Sequence, residues 1–169
     1  MCIRDREKGI KLKSGDFLDA DIIVTATGLV LQNFGGVTIS INNNPVNVSE
    51  TMTYKSLMYS DIPNFVNSFG YINASWTLKA DLTSVYLCRL IKHMDKNKYS
   101  SACPRKPLDV DETYDWLKDF SSGYIQRSIN LHPQQGSKKP WVNYQDYIKD
   151  WIDVKFSKLE DGNLIFSRD

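Results

Sequence analysis

The residues best placed to do chemistry lie where a glycine ends an extended run and a helix begins: Gly70, Tyr71, Ile72, Asn73, Ala74, Ser75 and Trp76. The helix that follows has no carboxylate in its first turn, whereas Lys92, His93 and Lys96 suit the negative end of its dipole. Free N–H groups at its start can face an electron-rich ligand, or Asn73 or Ser75 caps them. Tyr71 and Trp76 either stack on such a ligand or anchor the corner. A second group is Ala26, Thr27 and Gly28, small residues closing the apolar run 20–28. Small side chains at the carboxyl end of a buried strand leave room for a cofactor.

Other reactive side chains carry less. His93 falls in a cationic last turn and His132 in a loop before proline, so neither reads as an acid–base catalyst. Cys2, Cys88 and Cys103 are odd in number and have no CxxC spacing, which gives no support to a disulfide framework or a zinc site. The acidic stretch Asp109, Asp111 and Glu112 lacks the glycine and terminal glutamate of a calcium loop, and no metal site is expected. Gly35-Gly36 has no third glycine and precedes a hairpin, so it cannot cradle a dinucleotide pyrophosphate.

These groups need elements to hold them. Leu78, Leu82 and Val85, then Leu87, Leu90, Ile91 and Met94, predict a helix to about Met94 with two apolar stripes, packed on two sides. Residues 20–28 predict a fully buried central strand, and residues 65–69 a strand leading into the corner. Ser14-Gly15-Asp16 predicts a hairpin between Ile10 and Leu18, and the Asn-rich 42–44 a second between Val37 and Val48. Met52, Tyr54, Leu57, Met58 and Tyr59 form a Met/Tyr cluster that either lines a substrate channel or packs as core, the commoner use of such side chains. Residues 103–107 read as a Pro-bounded connection, 144–156 as an amphipathic helix and 159–166 as a closing hairpin, and the last third, with Tyr114, Trp116, Leu117 and Phe120, is rich in aromatics. Lys79 and Asp81 read as surface or interdomain residues.

Composition limits the partners. The 169 residues carry a net charge of +1 with lysines interleaved among acids, which indicates no nucleic acid or acidic membrane. No apolar run nears the roughly 20 residues of a membrane span, and a reducing cytoplasm is expected. Residues 1–6 have no periodicity and read as a non-native leader, outside the fold.

The run Gly-Tyr-Ile-Asn-Ala-Ser-Trp-Thr-Leu-Lys-Ala-Asp-Leu from Gly70 to Leu82 resembles the late FAD-domain segment of class B flavoprotein monooxygenases, the Baeyer–Villiger and FMO-like enzymes, most closely the ethionamide-activating type. Ala26-Thr27-Gly28 is similar to that family's motif near the crossing of its FAD and NADP modules. Gly123 to Ser128 and Gln135 to Trp141 resemble its carboxy-terminal extension. The resemblance implies an α/β fold, the carboxy-terminal part of a Rossmann-like FAD and NAD(P) flavoprotein. It places the end of the NADP domain and the closing part of the FAD domain in residues 7–100 and an extension in 101–169.

By resemblance Ala26, Thr27, Gly28, Gly70, Asn73, Ala74, Ser75 and Trp76 bind cofactor, while the Gly-rich motifs and catalytic arginine lie upstream. The implied enzyme reduces FAD with NADPH, forms a C4a-peroxyflavin from O2, and oxidises a ketone, sulfide, thioamide or amine. No catalytic residue falls in this stretch. Two other readings stand beside it: a flavin disulfide-reductase-like NAD(P)H oxidoreductase, and a catalytically silent folded module.

Overall fold

The computed structural model describes residues 2–6, 8–108, 110–113 and 122–168, with the backbone alone for 2–6 and 112–113. Tyr114, Trp116, Leu117 and Phe120 lie outside the described residues. The architecture is mixed helix and strand, with short antiparallel pairs around one long helix.

Three strands open the chain as a meander: β1 (Cys2–Arg6), β2 (Gly9–Leu12) and β3 (Phe17–Asp19). Residues 2–6, set aside as a leader, pair antiparallel with β2, with Arg6 opposite Gly9 and Asp5 opposite Ile10. The next hairpin, β4 (Ser40–Ile41) and β5 (Asn44–Pro45), turns on Asn42 and Asn43, whose φ angles of 51° and 65° asparagine tolerates. β6 (Thr53–Tyr54) and β7 (Met58–Tyr59) then fold back on each other through Lys55 and Ser56. Every residue from 51 to 60 is buried.

The long helix α1 (Trp76–Asn97) ends on Lys98 in the left-handed region, whose neighbour Tyr99 donates its N–H to the Met94 carbonyl. β8 (Ser101–Pro104) follows, then β9 (Glu112–Thr113), the short helix α2 (Gly123–Ser128), β10 (Gln135–Gly136), α3 (Tyr147–Phe156) and β11 (Leu164–Ser167). Asp146 caps α3, its Oδ1 accepting from the N–H groups of Ile148 and Lys149. No helix among the described residues is long and apolar enough to cross a membrane.

One apolar core draws on most of these elements: Met52, Tyr54, Leu57 and Met58 meet Leu82, Tyr86 and Leu90 of α1, with Trp141, Val154 of α3 and Leu164 of β11. It joins residues on both sides of position 100. Arg89 on α1 donates to the carbonyls of Val154 and Ser157, tying the end of α3 to α1.

Three expectations are corrected. Residues 21–30 are exposed and form no strand, with Ile22 at 81% and Val24 at 82% exposure. A buried parallel strand needs a neighbour on each side, and no described strand pairs with this run. Residues 65–69 likewise belong to no sheet. The closing hairpin is replaced by long-range pairing: β11 lies antiparallel to β8, so Cys103 and Pro104 stand in a strand rather than in a connection. The turn at Asp161 and Gly162 does form, Asp161 Oδ1 accepting from the N–H groups of Asn163 and Leu164.

Each predicted stripe of α1 is buried in part: Leu82 of the first and Leu90 of the second are buried together with Tyr86, while Leu78, Leu87 and Ile91 are exposed. Leu82→Ala is therefore expected to cost about 2–4 kcal/mol and Leu87→Ala less than about 1 kcal/mol. Urea denaturation of the chain checks the difference.

Candidate functional site: the corner at the start of the long helix

Gly70 is buried beneath the Trp76 side chain, and a Cβ there would collide with the indole ring. This close approach requires glycine. Phe69 packs beside the same ring at a centroid distance of 5.2 Å, while Trp76 itself stays 59% exposed. Ile72 N–H donates to Gln145 Oε1 at 2.9 Å, tethering the corner to the segment before α3.

The corner's main anchor is electrostatic. Tyr71 Oη and Lys79 Nζ both donate to Asp150 Oδ2, at 2.7 and 2.6 Å, and all three residues are buried. The ammonium also lies 5.4 Å from the Tyr71 ring centroid. Burial, and then the hydrogen bond to Asp150, push the Tyr71 hydroxyl well above its ordinary pKa, so it stays a donor. Lys79, read from the sequence as a surface or interdomain residue, is buried and structural: its partner is 71 positions away in sequence, beyond any local spacing rule. Asp81 is exposed, as expected.

Ser75 occupies the N-cap position of α1 but makes no capping bond to the backbone; its hydroxyl lies 2.7 Å from that of Thr77 instead. The first turn holds no acid. Asn73, Ala74 and Ser75 are exposed around this end. The helix start is an uncapped cluster of donors at the surface.

The other predicted group lies elsewhere but is linked to the corner through α2. Gly28 has φ +80° and sits against Tyr124 and Arg127, and Arg127 Nη2 donates to the Thr27 carbonyl at 3.4 Å. Ala26 is exposed beside them. On its opposite side α2 buries Ile125 against Phe69 and Ile72. The three sequence groups, 26–28, 70–76 and 123–128, therefore meet through one short helix.

Beside the corner is a cavity of about 330 Å³, with Trp76 and Phe69 on one wall and His132 on another. His132 lies in the loop before proline, as read from the sequence, but it is buried, 2% exposed, and its Nε2 has no hydrogen-bond partner among the described residues. Thr53 Oγ1 and Ser56 Oγ, on residues lining the same cavity, are also buried without partners. Nothing in the spacing of 132 marks it for burial; the following proline only marks the loop. His93 stays partly exposed, with Nε2 at 2.9 Å from Glu160 Oε1.

Comparison with known proteins agrees with the resemblance read from the sequence. The chain is 44% identical over 162 residues to the FAD-containing monooxygenase EthA of Mycolicibacterium smegmatis, a match covering 96% of this chain and 33% of that protein. It is 45% identical over 161 residues to EthA of Mycobacterium tuberculosis, covering 95% and 32%. The probable FAD-binding monooxygenase AlmA of an Acinetobacter species is 44% identical over 160 residues, covering 95% and 32%. No family model matches the chain, and no solved structure matches it significantly.

Asp150→Asn should leave the Lys79 ammonium buried without a counter-charge and cost about 3–5 kcal/mol, while Asp150→Asn combined with Lys79→Met, which removes both buried charges, should cost less. Denaturant midpoints of the two variants give the order. Burial lowers the pKa of His132 below its ordinary 6.5. The unfolded chain then binds the proton first on acidification, so this contribution to stability is full above about pH 6.5 and is lost as pH falls towards the lower folded value. His132→Gln should flatten that part of the stability–pH curve measured by urea denaturation.

It is to the FAD-containing monooxygenases of the EthA and AlmA kind that the sequence is related, along nearly all of its own length and about a third of theirs.

Proposed function

We propose that the chain is the carboxy-terminal portion of an FAD- and NADPH-dependent monooxygenase that transfers one oxygen atom from O2 to a small ketone, sulfide, thioamide or amine. The observation that carries this is identity of 44–45% over 95–96% of the chain with relatives named as FAD-containing or FAD-binding monooxygenases. Within the reading, residues 7–100 are the tail of the two dinucleotide-binding modules and 101–169 an extension packed on them.

The residues present fit one edge of FAD. An uncapped helix start with no acid in its first turn offers N–H donors and a positive partial charge to an electron-rich ring edge. Asn73, Ala74, Ser75 and Trp76 would line that edge, Ala74 leaving space and Trp76 covering Gly70. Ala26, Thr27 and Gly28 would lie where the FAD and NADP modules converge. The sequence has no Gly-x-Gly-x-x-Gly, so the grip on pyrophosphate falls to residues outside this chain. When bound, the flavin supplies the oxygen chemistry.

This chain's own contribution is positional. Asp150, through Tyr71 and Lys79, holds the first turn of α1 in place, so its N–H groups are aimed before any charge develops on a ligand. Trp76 and Phe69 screen the corner from water. Leu87 and Ile91 of α1 and the exposed run 21–30 are the apolar surfaces that the missing modules would cover.

The test compares a longer form that restores the preceding reading frame with the 169-residue chain. The long form should purify with FAD and consume NADPH only with O2 present, and the short chain should retain no flavin. A long form without flavin would instead favour the silent folded module.

A further inference from the structure

Helix α3 (Tyr147–Phe156) turns its larger aliphatic side chains away from the protein. Its inward face holds Asp150 and Val154, both buried, whereas Ile148 is 67%, Ile152 48% and Phe156 70% exposed. These three stand four residues apart and so form one stripe along the helix. At about 100° per residue, Lys155 falls on one side of the stripe and Lys149 on the other. All five residues are exposed, and none is acidic.

Charge decides what can cover this stripe. The Lys155 ammonium lies 4.9 Å from the Trp151 ring centroid and has no ion pair among the described residues; Lys149 reaches Asp146 only at 3.9 Å and the Tyr144 ring centroid at 5.1 Å. The carboxylates of the helix are engaged elsewhere: Asp146 caps it, Asp150 holds Lys79, and Asp153 pairs with Lys139 at 2.8 Å. A second copy packed stripe to stripe would set lysines against lysines with no acid between them, which is repulsive. A surface that is apolar at depth and anionic at the level of the ammonium groups meets no such penalty, and a bilayer interface has that profile. Lysine stems keep the charge at the headgroups while the aliphatics go deeper, and half-buried Trp151 and Tyr144 are ring types suited to the same level. The net charge of +1, which gives no sign of an acidic membrane for the chain as a whole, averages over this local asymmetry.

We propose that α3 is a docking helix for an anionic lipid bilayer, with Ile148, Ile152 and Phe156 in the boundary between headgroups and acyl chains and Lys149 and Lys155 on lipid phosphates. Ten residues make about 15 Å of helix, so α3 lies along the surface and does not span it. The exposed run 21–30 is apolar as well, but Asp21 is its one charged residue and it has no basic border, so it lacks this signature. Docking through α3 needs no flavin, and the inference goes beyond the monooxygenase reading.

Sedimentation of the 169-residue chain with vesicles of phosphatidylcholine alone, or of equal parts phosphatidylcholine and phosphatidylglycerol, tests it in the absence of FAD. The anionic vesicles should bind at least about tenfold more tightly, and Lys149→Gln with Lys155→Gln should remove most of that preference. Ile148→Ser with Ile152→Ser, both at exposed positions, should weaken binding to anionic vesicles about tenfold or more, whereas Ile22→Ser with Val24→Ser should leave it unchanged. The longer form that restores the preceding reading frame should bind the same vesicles. Equal affinity for the two vesicle types, or α3 serine and glutamine variants that bind like the unaltered chain, would overturn the proposal. So would loss of binding in the Ile22 and Val24 variant, or in the longer form, where upstream modules would then cover α3. No sedimentation with either vesicle, the outcome for a face that instead holds an acidic protein helix, overturns it as well.

Discussion

A single carboxylate oxygen, Asp150 Oδ2, accepts from both Tyr71 and Lys79, and the arrangement of the corner at the start of α1 follows from it. Tyr71 fixes the backbone just after Gly70, Lys79 fixes the first turn of α1, and Asp150 brings α3 to both. Taking an ammonium and a carboxylate out of water costs several kcal/mol per ion, which close geometry and the additional phenol bond must offset. Such a triad is worth more as a positioning device than as a source of stability. With it in place, the Trp76 ring can sit on Gly70 and the start of α1 is held at the surface.

The long helix was legible because its periodicity is local: positions 82, 86 and 90 share a face whatever lies elsewhere in the chain. The two hairpins were legible for the same reason, since Asn42-Asn43 and Ser14-Gly15 carry their turn chemistry with them. Burial of Met52, Tyr54, Leu57 and Met58 also followed from side-chain type. The burial of Lys79 and His132 was not legible because it depends on elements that are distant in sequence. The pairing of β11 with β8 was missed on the same ground: an Asp-Gly turn predicts a reversal but not the strand it leads to.

The runs 20–28 and 65–69 show a different kind of limit. Their composition is that of interior strands, yet one is exposed and neither enters a sheet. In relatives three times as long, the same composition can be satisfied by segments that this chain does not contain. Sequence therefore records a burial that this chain alone does not supply, and the exposed stripe of Leu87 and Ile91 records another. The candidate site is legible to the same degree: the helix start and its small neighbours were readable, whereas the cavity behind Trp76 was not, because its walls come from segments spread between positions 31 and 143.

The exposed run from 21 to 30 also bears on how this polypeptide behaves in company. It is rich in Ile, Val and Leu and enters no ladder among the described residues, and Arg127 holds only its Thr27 carbonyl. Asp21 is its one charged residue, too near the end to act as a gatekeeper for Ile22 through Val30. Two copies that meet along this run can each supply the neighbour the other lacks. The segment that reads as the interior of a sheet is, on this chain, an exposed apolar surface.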